Sequence, residues 1–341
     1  MIYWFIQIIS LPAYRLLVRF ALVSPKYGCD SNKAVGTADK RIKFIGAKEA
    51  KGAWRGIQID SNTDNQLVYC DFLNMGSSSS GITGALYLYN AKVGISHCKF
   101  TNGLGTAIRA HSNAASFSEF SDFNNNVIEG YDDLPPMIVT TNRPLAFLEK
   151  LDMTSDFTRN AKQYIQVTPD HLSRAVTINQ TTVPYYFDSY IRNIDYTLTI
   201  NEGVTIYVAA GQYFNNRGGA NPGRLIINGT ANKKVKITRL PGTTGHWHRV
   251  DFYGLKESVI NHCIFEYGGG GTGIGIGTLL FNSTTELTLN NVEINHSDTY
   301  GVYISQSGYR LSHSNVTFSN NRQGNVYDNR TNPATIRTNF P

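Results

Sequence analysis

The chain has 341 residues, more than one ordinary hydrophobic core accommodates, so either two domains or an elongated repeat is expected. Its net charge of +6 has no RNP, zinc-finger or helix-turn-helix pattern beside it, so no nucleic-acid partner is indicated. Four cysteines, none in a CxxC pair, argue against a thiolate zinc centre or a disulfide scaffold, and no metal or cofactor is expected.

Charged residues are only 16%, and Asn, Ser, Thr, Gly and 20 tyrosines take their place. That composition favours strands and turns over helices. Residues 2–13 are apolar, but Arg15 and Arg19 cut the apolar run short of the length that spans a bilayer. Residues 1–30 are therefore read as a leader or an apolar cap, with no clear export signal.

Residues 36–54 and 229–247 then repeat one another. Gly36-Thr37-Ala38-Asp39-Lys40 returns as Gly229-Thr230-Ala231-Asn232-Lys233, and Trp54 as Trp247, all at an offset of 193. Each copy continues in short alternating runs. In the first, Leu67–Phe72, Ile95–Phe100 and Ser121–Asn125 place Phe72, Phe100 and Phe123 at separations of 28 and 23 residues. In the second, Ile260–Phe265, Leu289–Ile294 and Val316–Asn320 place Phe265, Ile294 and Phe318 at 29 and 24.

Alternation puts one face of each run inward. A strand repeating every 23 to 29 residues, with little helix-period sequence between, suits one turn of a parallel β-coil, successive turns lying about 4.8 Å apart. Cys70 then stacks on Cys98 as thiols, and Phe72 on Phe100. Leu86–Asn90 is matched with Thr278–Asn282 as a second strand family. Residues 127–170, with Asp132-Asp133-Leu134-Pro135-Pro136 and one helical stretch from Leu145 to Leu151, read as a junction. Alternation resumes in Leu198–Ile200, Val204–Val208 and Arg224–Asn228. The expected fold is all-β, a right-handed parallel β-helix (solenoid) in two stacked duplicated segments, 31–126 and 171–341.

The succession Leu-Thr-Ile…Gly-Val-Thr-Ile, Gly-Thr-Ala-x-Lys, Trp-x-x-Ile/Val, Cys-x-Phe and Phe-x-Asn-Asn resembles the right-handed parallel β-helix repeat proteins. These are bacterial secreted or cell-surface proteins of the pectate-lyase-like fold. The resemblance covers roughly 36–126 and 195–321. It implies architecture and an extracellular setting, not an activity, because that fold carries lyases, hydrolases, adhesins and proteins without known chemistry.

Candidate chemistry is sparse. Gly268–Gly275 lacks the Gly-Lys-Ser/Thr ending of a phosphate loop and matches Gly76–Gly81 as a turn. His97-Cys98 and His262-Cys263 point to opposite faces. His246, His248, Arg249 and Asp251 flank Trp247 as the densest titratable cluster, a weak catalytic candidate. Arg41 and Lys43 recur as Lys234 and Lys236, an outward basic ridge that could meet acidic glycans. Tyr87 and Tyr89 point outward and could stack on sugar rings. The acids Asp60, Asp64, Asp71, Asp122 and Asp251 do not recur one coil later, as a lyase's calcium ligands would. The expected protein is a monomeric extracellular or cell-surface binder of acidic or neutral polysaccharide, or an adhesin. A β-helix lyase or glycosidase is one alternative, and a structural spacer is another.

Overall fold

In the computed structural model the described residues are 17–20, 32–76, 84–112, 118–141, 143–192, 194–214, 222–271, 276–282 and 284–341. The expected leader outside 17–20, with Cys29, and much of the two glycine and serine turns lie outside them. The chain forms two compact units, residues 1–166 with 181–183, and residues 167–180 with 184–341. Both are parallel β-solenoids. Among the described residues the single helix is Pro144–Leu148, shorter than the expected Leu145–Leu151 stretch and started by a proline at its first turn. No described helix is long and apolar enough to cross a membrane.

In the first unit each turn crosses three sheets. One holds the strands Leu17–Phe20, Gly56–Ile59, Gly84–Tyr89, Thr106–His111 and Met137–Thr140. The next holds Lys33–Val35, Asp64–Val68, Lys92–Ser96 and Glu119–Asn124. The third holds Ile42–Ile45, Cys70–Leu73, Lys99–Thr101 and Val127–Glu129. All these pairings are parallel, and apart from a one-residue bulge between Phe120 and Asp122 they keep register, so an inward residue meets its counterpart one turn away. Phe44, Phe72 and Phe100 stack at 4.9 and 4.6 Å between ring centroids, within 13° of parallel. Each such pair adds about 0.5–1.5 kcal/mol beyond the area it buries.

The second unit repeats the arrangement with longer strands. Ser258–Glu266, Glu286–Asn295 and Arg310–Ser319 each run through two sheets, and Gly277–Phe281, Tyr300–Ile304 and Gly324–Asp328 form the third. Cys263 and Phe265 lie over Val292 and Ile294. Cys70, Cys98 and Cys263 are buried free thiols, and burial pushes the Cys98 and Cys263 thiols up.

The register corrects one detail of the internal match. Ile57 pairs with Leu86, and Val250 pairs with Leu279, so Leu86 corresponds to Leu279 and not to Thr278. The 193-residue offset thus persists through this strand. It also holds at the corner tryptophans. Trp54 Nε1 donates to the Leu73 carbonyl at 2.8 Å, and Trp247 Nε1 to that of Glu266 at 2.7 Å.

Corners between sheets use left-handed backbone. Tyr69, His97 and Asn125 take φ of 50–54°, and Asn74 and Asn102 take 56°. Asparagine tolerates this conformation best, and here its amides link turn to turn: Asn102 Nδ2 donates to Asn74 Oδ1 at 2.6 Å. In the second unit Asn290 donates to Asn261, and Asn315 to Asn291, both at 3.0 Å.

The chain ends on an antiparallel pairing of Thr335–Arg337 with Gly324–Asp328. Asp328 is buried and accepts from Arg330 Nε and Nη2 at 2.8 and 2.6 Å and from Arg337 Nε at 3.2 Å. The hydrogen bonds from Arg330 hold its carboxyl well below the ordinary 3.8, at about 2. A depressed carboxyl stabilises the fold above its unfolded value and loses that contribution as pH falls through the folded value. Unfolding free energies measured from pH 5 to pH 2 should therefore show the wild type losing roughly 2 kcal/mol more than Asp328→Asn, mostly between about pH 4 and 2. Parallel pH curves for the two proteins would contradict the clamp.

Candidate functional site

The outward face of the first sheet in the first unit carries the most concentrated recognition chemistry. Register sends Ile57, Leu86, Ile108 and Met137 inward together, and Ile59, Leu88, Ala110 and Val139 likewise. Alternation then aligns Gln58, Tyr87, Arg109 and Ile138 in one outward column. Tyr89, His111 and Thr140 form the next, with Asp60 beside them at the end of Gly56–Ile59.

Three rings on this face lie nearly parallel. Tyr87 and Tyr89 are 6.2 Å apart, Tyr89 and His111 5.8 Å, and Tyr87 and His111 6.4 Å, with interplanar angles of 10–24°. His111 Nδ1 is 3.2 Å from the Thr140 hydroxyl, which fixes the ring's orientation. Arg109 stands beside Tyr87, and a side chain on Gly84 would press against it, since a Cβ there would lie 2.9 Å from the Arg109 Cβ. Both tyrosines point outward as expected, but Tyr87 is only 9% exposed and Tyr89 is half-buried. Burial pushes the Tyr87 phenol up, Arg109 pulls it down, and Tyr89 and Asp60 raise it further. Gln58 adds a buried Oε1 with no partner among the described residues.

Stacked rings beside a guanidinium, an amide and a carboxylate suit a ligand with apolar ring faces and polar edges. The second unit does not repeat the set. Its equivalents of Gln58, Tyr87 and Arg109 are Asp251, Leu280 and Tyr303.

The other candidates are dispersed. His246 and His248 lie on either side of the buried Trp247, His248 edge-on to Tyr213 at 5.9 Å and His246 beside Tyr267 at 6.1 Å. Arg249 and Asp251 pair at 3.6 Å, with Asp251 1% exposed. Along the basic ridge, Arg41 pairs with Asp71 at 2.7 Å and donates to the His97 carbonyl. Lys234 pairs with Glu293 at 2.6 Å and Lys236 with Glu266 at 2.8 Å, while Lys43 is exposed. Asp132 takes the Lys51 ammonium. Among the described residues no three His, Cys, Asp or Glu side chains converge as metal ligands would.

Arg109 and His111 escaped the sequence analysis. Their signal was the alternation Thr106-Ala107-Ile108-Arg109-Ala110-His111, whose inward residues are mostly small. No protein-family model, curated protein or solved structure matches the chain, so its architecture is read from strand register alone.

Proposed function

We propose that this protein is an extracellular or cell-surface β-helix of the pectate-lyase-like, bacterial type that binds polysaccharide on the first unit's outward sheet. One observation carries this: three nearly parallel rings from two adjacent strands, flanked by Arg109, on a face whose inner side is fully packed. Tyr89 and His111 offer stacking surfaces, and Arg109 and Gln58 bond to hydroxyls. Because the rings sit on in-register strands rather than loops, they are held rigidly, which lowers the entropy cost of binding. The fully packed inner side makes this face a platform rather than a channel.

A glycan array probed with the full chain is the direct test. Binding to at least one polysaccharide is expected. Tyr89→Ala should weaken it about tenfold, near 1.4 kcal/mol, while Tyr89→Phe keeps most of it. An array with no binding, or binding indifferent to Tyr89→Ala, contradicts the proposal. Ultraviolet-absorbing unsaturated products released from a bound glycan would instead select a lyase, with His111 and Arg109 nearest the chemistry.

A further inference from the structure

The order Arg-Tyr-His-Asn recurs on four consecutive turns at one corner of each unit. In the first unit it is Arg41, Tyr69, His97 and Asn125. In the second it is Arg239, Tyr267, His296 and Asn320, at the other strand end. In both, the guanidinium lies over the tyrosine, at 5.5 and 3.9 Å from the ring centroid, and the tyrosine stacks on the histidine, at 4.5 and 5.1 Å.

The two ladders differ in how their arginine is satisfied. Arg41 is held by the Asp71 carboxylate and by the His97 carbonyl, so its edge is used internally. Arg239 has no carboxylate partner among the described residues. It stacks on Tyr267 and gives one N–H to the Thr244 carbonyl at 3.1 Å. A guanidinium carries five donors, so the rest of its edge remains available. Lysines elsewhere in the second unit are matched: Lys233 with Glu202, Lys234 with Glu293, Lys236 with Glu266 and Lys256 with Glu286.

Further groups gather around this second ladder and have no counterpart at the first. His246 packs against Tyr267. Asp298 and Arg322, one and two turns on, pair at 3.1 Å, with Arg322 Nε also donating to the Asp298 carbonyl at 2.6 Å. Their charges, with that of Arg239, act on His246. The glycine turn packs against His246 without adding an acid, since a Cβ on Gly270 would lie 2.5 Å from the His246 carbonyl. Counting side chains, two arginines and two histidines face one carboxylate.

We infer that Arg239, His246, His296 and Arg322 form a second site in the second unit, which takes an oxyanion substituent of a sugar, a sulfate or a uronate carboxylate. The stacked guanidinium is pre-organised for it: its flat face is spent on Tyr267 and its edge presents paired donors to two oxygens of a carboxylate or sulfate. Burial holds His246 below the usual imidazole range, with Arg239 and Arg322 pushing the same way and Asp298 opposing them. His246 is thus neutral near pH 7.5 and adds a cation as the solution becomes acid. The site does not depend on the Tyr87–Tyr89 platform, and Tyr89→Ala should leave it intact.

The test is calorimetric titration of the full chain with a sulfated disaccharide, a uronic-acid disaccharide and their neutral parent, at pH 5.5 and 7.5 in low salt. At least one anionic disaccharide should bind tenfold or more tighter than the parent, and at least threefold tighter at pH 5.5 than at 7.5. Arg239→Gln should remove the preference, and Arg239→Lys should restore only part of it. Arg310→Gln, a highly exposed arginine on the same unit, should not change it. Unfolding midpoints of the variants close to wild type keep the comparison valid, and His246→Gln, which leaves the stacked ladder in place, should weaken the pH dependence. Equal affinity for anionic and neutral disaccharides, or an Arg239→Gln protein that binds like wild type, overturns the site.

Discussion

Gly56→Ala is expected to destabilise the first unit by at least about 3 kcal/mol and to remove the aromatic platform with it. Gly56 sits at φ 129°, a backbone region that residues with a Cβ rarely enter. A Cβ there would lie 2.1 Å from the Ala85 carbonyl oxygen of the next turn. Neither atom can retreat, because Gly56–Ile59 and Gly84–Tyr89 are hydrogen-bonded in register and the inward residues Ile57 and Leu86 are buried beneath them. The strain would shift Gly84–Tyr89, which carries both tyrosines of the platform. The matching position of the second unit is Arg249, where the φ is not positive, so the constraint belongs to the first unit. Urea unfolding checks this directly. A midpoint within error of wild type would mean that the turn can open at Gly56 without cost.

Trp247→Ala should cost about 3–5 kcal/mol, the usual range for emptying a fully buried aromatic site. Trp247 is 0% exposed, and its Nε1–H satisfies the Glu266 carbonyl. The indole also wedges the glycine turn, since a Cβ on Gly268 would lie 2.9 Å from Trp247 Cζ2. Removing it leaves a cavity and an orphaned carbonyl at once. Trp247→Phe separates the two, because it fills part of the volume but cannot donate, and a loss of about 1–3 kcal/mol is expected from the carbonyl. Trp54→Ala should behave alike, given its equivalent bond to the Leu73 carbonyl and 3% exposure. Unfolding followed by tryptophan fluorescence and by circular dichroism would check both. A cost below about 1 kcal/mol at either corner would refute the packing role.

What could be read from the residue order was the interior. Phe72 and Phe100 are large, alternate with polar neighbours and lie 28 residues apart, so their stacking follows from the spacing. Phe123, 23 residues on, does not join them: it pairs with Ile95 in the neighbouring sheet, and Ile128 takes the place beside Phe100. The two tryptophans were legible as a pair from the 193-residue repeat that matches Trp54 with Trp247. The outward platform was legible only in part. Tyr87 and Tyr89 stood out as rings, but their partners lie on Thr106–His111, where Ala107 and Ala110 weaken the apolar signal. The match of Leu86 with Thr278 slipped by one residue because Leu279 and Leu280 are both apolar and hide the alternation there.

The second ladder was illegible for a different reason. Arg239, Tyr267, His296 and Asn320 occupy or adjoin left-handed corners, not strand interiors, so period-two patterning is silent about them. Whether a basic residue is free also depends on the turn above it. Lys234 and Lys236 read as an open ridge, yet Glu293 and Glu266 reach them from later turns. Charge balance in a solenoid is set between turns, and single-chain order does not display it.

Both proposed sites require that residues 28 or so apart lie directly over one another. Nuclear Overhauser spectra of the protein with labelled phenylalanine rings measure this most directly. Strong cross-peaks from Phe72 to both Phe44 and Phe100, with none between Phe44 and Phe100, are expected from stacking at 4.9 and 4.6 Å. Absence of the Phe72–Phe100 cross-peak in the folded protein would contradict the coil and every site built on it.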